Sequence, residues 1–145
     1  MAETLGSLFD KLTIIKLKQW HTDDKKKLAV LNEQQKNLED EINNFIFSVI
    51  NGDLPINLIS SQTIKIYNEK KNVTKNIEGS LAKMISEIAY VNCELWHEQE
   101  KVYDFENVPA REKNKVVKKL ALLNLERNKY IDLINLKFKE MIDKN

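Results

Sequence analysis

The run Asn92-Cys93-Glu94-Leu95-Trp96-His97-Glu98-Gln99-Glu100, followed by Leu123-Asn124-Leu125-Glu126-Arg127-Asn128, holds the side chains best suited to chemistry in this chain. On a helix, Trp96 and His97 share a face with Glu100. Arg127 and Asn128, with Asn124 one turn earlier, can face that turn if their helix folds back alongside. In that arrangement Arg127 would clamp an anion, and His97 or Glu100 would act as acid or base. The same residues could equally form a buried hydrogen-bonded network that fixes the register between helices, and this structural reading is the preferred one.

Other chemistries lack their residues. Neither His21 nor His97 has a second His three or four residues away, so no metal is expected, and Glu98, Glu100 and His97 would need ligands from another helix. Phosphate-binding glycine loops, a nucleophile elbow and a Cys-x-x-Cys pair are absent, so no cofactor and no catalytic residue is assigned. The single cysteine, Cys93, cannot form an internal disulfide, and its place in an apolar-periodic helix predicts a buried small hydrophobe.

Positioning these side chains falls to long helices. Three glycines and two prolines among 145 residues, in a chain rich in Lys, Glu, Leu, Ile and Asn, predict an all-α fold of one domain over residues 1–145. Thr4 can cap the first helix, and no Gly or Pro interrupts the chain between Gly6 and Gly52. Leu5, Leu8, Leu12 and Ile15 form one apolar stripe. Ile14, Leu17, His21, Asp24, Leu28, Leu31, Gln35, Leu38, Ile42, Phe45 and Val49 form a second, spaced alternately by three and four. Unbroken alternation favours one helix from about Thr4 to Ile50, about 70 Å long. The competing reading is a tight helical hairpin at His21-Thr22-Asp23-Asp24, with Thr22 or Asp23 as the cap.

Asn51-Gly52-Asp53-Leu54-Pro55 ends this segment in either case. Beyond it, Ile56 to Ile59 reads as an apolar connector, with Ser60 or Ser61 as a following cap. A second helix is expected from 60 or 74 to about 104, with Ile77, Leu81, Met84, Ile88, Val91, Leu95 and Val102 on its seam. Pro109 then opens a third helix over about 110–143, with Asn107 as a candidate cap and Val116, Leu120, Leu123, Tyr130, Ile134, Phe138 and Met141 along one face. The expected architecture is an antiparallel bundle of three long helices, with the length of the first leaving room for a coiled-coil extension.

Several short blocks recur in order. Gly6-Ser7-Leu8 returns as Gly79-Ser80-Leu81, Trp20-His21 as Trp96-His97, and Leu31-Asn32 as Leu123-Asn124. Asp40, Ile42 and Asn43 then align with Asp132, Ile134 and Asn135 without a gap. This pattern predicts an internal duplication with halves at about 1–50 and 74–145, and a tryptophan–histidine turn buried in each.

Charge excludes further classes. Lys and Arg number 23 against 22 Asp and Glu, with the signs interspersed, so the surface exerts no long-range pull on nucleic acid. The basic runs Lys25-Lys26-Lys27 and Lys115 to Lys119 read as solvated helix faces. No apolar run is long enough for a membrane span, and the N-terminus lacks a signal pattern, so a cytoplasmic location is expected.

Leu95-Trp96-His97-Glu98-Gln99-Glu100, Leu123-Asn124-x-x-Arg127-Asn128 and the closing Ile131-Asp132 resemble the motifs of an uncharacterised bacterial and phage all-helical family, a domain of unknown function. Gly6-Ser7-Leu8-Phe9-Asp10-Lys11-Leu12 is similar to that family's Leu-Ile-Asp-Lys-Leu opening. Lys129 stands where the family usually has an acidic residue, and Tyr103 where Arg is common. The resemblance implies a setting among glycosyl-transfer and surface-polysaccharide genes. It adds Asp10 and Lys11, with Trp20 and His21, to the candidate polar site of Trp96, His97, Glu100, Asn124, Arg127 and Asn128.

Two functions are consistent with these readings. The first, preferred, is a non-enzymatic helical scaffold or adaptor acting through protein contacts, as a homo-oligomer or with a protein partner. The second is a protein or enzyme that binds a sugar or sugar-nucleotide at the polar motifs.

Overall fold

The computed structural model of the protein describes residues 3–55 and 79–143. Four α-helices and no strand occur among them. α1 (Leu5–His21) begins where the Thr4 hydroxyl accepts the Ser7 N–H at 3.3 Å, the cap its sequence predicts. Leu5, Leu8 and Ile15 of the first stripe are buried, and Leu12 is half-buried.

α1 stops at His21, which overturns the expected continuous helix. Thr22 takes extended backbone, and Asp24 caps α2 (Lys25–Ile50), its carboxylate accepting the Lys26 and Lys27 N–H groups at 2.9 and 3.3 Å. The hairpin alternative is the one the protein adopts, with Asp24 as cap instead of Thr22 or Asp23. The second stripe survives because its two halves face each other across the turn. Lys16 Nζ donates to Gln35 Oε1 at 2.8 Å and Gln19 Nε2 to Asn32 Oδ1 at 3.0 Å, so residue numbers fall on α2 as they rise on α1. The two helices are therefore antiparallel. α2 ends at Asn51, and Gly52 follows in the left-handed region at φ +77°, where a side chain would be strained.

The expectations for residues 56–78, namely the connector, the caps at Ser60 or Ser61 and a helix start near Thr74 or earlier, lie outside the described residues. Ser80 caps α3 (Leu81–Tyr103) by accepting the Lys83 N–H at 3.2 Å. A 3-10 turn at Phe105–Asn107 then leads into α4 (Ala110–Asp143). So short a connection returns α4 alongside α3, and Lys119 Nζ of α4 lies 3.2 Å from the Glu98 carboxylate of α3.

Two apolar clusters hold these hairpins together. Met84, Ile88, Val91 and Leu95 of α3 pack on Leu123, Tyr130 and Ile134 of α4. Leu5 and Leu8 of α1 pack with Ile42 and Val49 of α2 and Phe138 of α4. Phe9 and Leu81 border both clusters, and α1 touches each of the other three helices.

Its first turn lies directly on α4. The Gly6 N–H, a helix-start donor with no partner within α1, donates to Asn135 Oδ1 at 2.7 Å. A Cβ on residue 6 would collide with the Ile131 carbonyl oxygen, so glycine allows the approach. No helix among the described residues is long and apolar enough to cross a membrane.

Candidate functional site

The polar centre of the molecule forms where α1, α3 and α4 meet. Asp10 is buried on α1, and Arg127 of α4 grips it with two parallel bonds, Nε to Oδ1 at 2.8 Å and an Nη2 bond to Oδ2 at 2.6 Å. Asn92 of α3 is 0% exposed, and its Nδ2 donates to Asp10 Oδ1 at 2.9 Å and to Thr13 Oγ1 at 2.6 Å. One carboxylate thus collects an arginine and an amide from two other helices. The hydrogen bonds it donates to Asp10 hold the Arg127 guanidinium above its ordinary pKa, against the opposing effect of burial.

The groups of this centre bond mainly to one another: both Asp10 oxygens accept from Arg127, and the Thr13 hydroxyl accepts from Asn92 and donates to the Asp10 carbonyl. Forked arginine–carboxylate pairs are directional, so the contact fixes the register of α1 against α4. Among the described residues the buried Asn92 Oδ1 has no hydrogen-bond partner, a cost that the apolar packing around it must offset.

A second buried charge lies further along α3. Glu98 is buried and accepts from Lys101 at 3.0 Å, with Lys119 of α4 at 3.2 Å. Burial pushes its carboxyl pKa up, but the two lysines together outweigh that and hold it below its ordinary value. Glu98 therefore joins α3 to α4. No group of three or more His, Cys, Asp or Glu side chains that could hold a metal ion occurs among the described residues.

The candidate residues divide into three fates. Asp10 and Arg127 come together, with Asn92 and Thr13, which the motifs did not single out as site residues. Trp96 and Glu100 also meet, the indole Nε1 donating to Glu100 Oε1 at 3.0 Å, and His21 of α1 stacks on Trp96 with ring centroids 4.6 Å apart. The others do not converge. Trp20 is 85% exposed, and His97 is exposed. Lys11 pairs with Glu3 at the surface, Asn124 bonds to the Leu120 carbonyl of its own helix, and Asn128 is half-buried.

Two expectations are corrected here. Trp20 does not share the environment of Trp96, and with Trp96 half-buried and His21 and His97 exposed, neither tryptophan–histidine turn is buried. Cys93 is exposed, because Ser86, Tyr90, Cys93, His97 and Glu100 form the solvent stripe of α3 opposite its core face. The loop geometry explains the remaining shift: Arg127 meets α3 at the level of Asn92, more than a turn short of Trp96 and Glu100. A polar Asn92 between the buried Val91 and Leu95 was the signal available in the sequence for this centre.

No family model, no curated protein and no solved structure matches the chain.

Proposed function

We propose that the protein is a non-enzymatic helical scaffold that acts through protein contacts and self-associates. The observation that carries this reading is the contrast between its mutually bonded polar centre and its exposed aromatic end. Asp10, Arg127, Asn92 and Thr13 bond to one another, whereas Trp20 is 85% and Tyr103 83% exposed. α1 and α3 run in the same direction, since Asp10 meets Asn92 and His21 meets Trp96. The C-terminal ends that carry Trp20 and Tyr103 thus lie at one end of the molecule. Large aromatic residues are the type that anchors interfaces, and a net charge of +1 sets up little repulsion between copies.

The internal duplication is part of this proposal. The two described segments are each a helical hairpin, and the recurring blocks fall at the start of the outgoing helix, near its end, and in the returning helix. A role in surface-polysaccharide assembly remains the setting that the motif resemblance implies.

Sedimentation equilibrium tests the self-association. The expected mass is about twice the 17.0 kDa of one chain, falling toward a single chain for the Trp20→Ser/Tyr103→Ser variant with its helical circular dichroism unchanged. A monomer up to ~1 mM would overturn the reading, since association weaker than that is not a stable interface.

A further inference from the structure

We propose that the cleft between the end of α1 and the start of α2 binds a small molecule that carries both a phosphate and a flat ring. The cleft has a volume of about 530 Å³, within the range of small-molecule sites. Lys18, Lys26 and Lys27 line it, together with the stacked pair His21 and Trp96, and no carboxylate does. The Asp24 carboxylate is engaged by the Lys26 and Lys27 backbone N–H groups, and the three lining lysine side chains mark a place for an anion. None of the three takes part in an ion pair among the described residues.

The aromatic pair is already ordered for a ring. Trp96 is held on one side by its bond to Glu100 and on another by His21, and the His21 Nδ1–H donates to the Leu17 carbonyl at 2.8 Å. That bond fixes the imidazole plane and leaves Nε2 as its remaining polar edge. Val30 and Leu31 of α2 add apolar wall. A flat ring extending the His21–Trp96 stack would bring an attached phosphate among the lysines.

Two features favour a compact ligand over an acidic peptide. The three lysines share one cleft with the aromatic pair. In the adjoining cavity of about 340 Å³, which shares Lys18 and Gln34, the other cations are engaged, Lys11 with Glu3 and Arg127 with Asp10.

Trp96 fluorescence in a Trp20→Phe background reads binding, because Trp20 is exposed and belongs to neither core cluster and phenylalanine keeps an aromatic side chain at the proposed interface; sedimentation verifies that the variant's mass equals the parent's. Uridine diphosphate, uridine, inorganic diphosphate, a thymidine oligonucleotide and a polyglutamate peptide are titrated in turn. Uridine diphosphate is expected to quench at sub-millimolar concentration, more tightly than either of its parts. Its affinity should fall at least about 10-fold in Lys18→Ala/Lys27→Ala, the loss expected for removing charged hydrogen bonds. These exposed lysines leave the core untouched, and circular dichroism verifies that the variant is folded. Absence of binding up to ~5 mM, where affinity is negligible, or affinity unchanged in the lysine variant, overturns the proposal. Equal binding of inorganic diphosphate removes the ring, and tighter binding of the oligonucleotide or the peptide replaces the small molecule by a macromolecule; either result also overturns it.

Discussion

Asp10 and Arg127 show why a buried charge pair has to be judged by its partners. The Asp10 carboxylate is removed from water and its guanidinium partner is one-third exposed, so deleting the arginine strands the more deeply buried charge. Arg127→Leu is expected to cost about 3 kcal/mol of unfolding free energy, in the range for a broken buried pair. The Asp10→Leu/Arg127→Leu double variant should cost clearly less than the two single changes added together. Urea denaturation of the four proteins gives the coupling. A coupling of zero would show that the pair does not hold α1 to α4. Sequence alone placed both Arg127 and Asp10 among the candidates, but not in contact with each other, because the two lie 117 positions apart and no motif spacing links them.

At the scale of elements, the turn between α1 and α2 decides the architecture. Three- and four-residue spacing reports which side of a helix is apolar, and it remains in phase through a reversal whenever both helices turn that side toward each other. The all-helical class, the Thr4 cap, the break at Asn51-Gly52 and, over the described residues, the seams of α3 and of α4 up to Phe138 were therefore legible, whereas the exposure of Met141 and chain direction after His21 were not. The legible clue was chemical: His21 and Asp24 are the polar steps in an apolar stripe, and they flank the break. Asp24 now satisfies two first-turn N–H groups of α2. Asp24→Ala should lower stability by about 1 kcal/mol, seen as a reduced urea midpoint with an unchanged slope, and Asp24→Asn should retain most of it. Equal losses in the two variants would count against a capping role.

For the molecule as a whole, α1 is the helix that ties the parts together among the described residues, since it contacts each of the other three substantially. The α3–α4 hairpin has its own fastening in Glu98 with Lys101 and Lys119, and this makes stability depend on acidity. Glu98 is held below its ordinary pKa of 4.5 in the folded protein. Its contribution is therefore complete above about pH 4.5 and is lost as the pH falls through the depressed folded value. Thermal unfolding followed from pH 7 to pH 3 should show a smaller acid-side decline in Glu98→Gln than in the parent, and identical declines would assign the acid sensitivity to other carboxylates. The exposure of Cys93 has a practical corollary. As the chain's sole thiol, three residues from Trp96 on the same helix, it is a unique attachment point for a spin label or fluorophore, so the aromatic cleft can be watched in solution without engineering a handle.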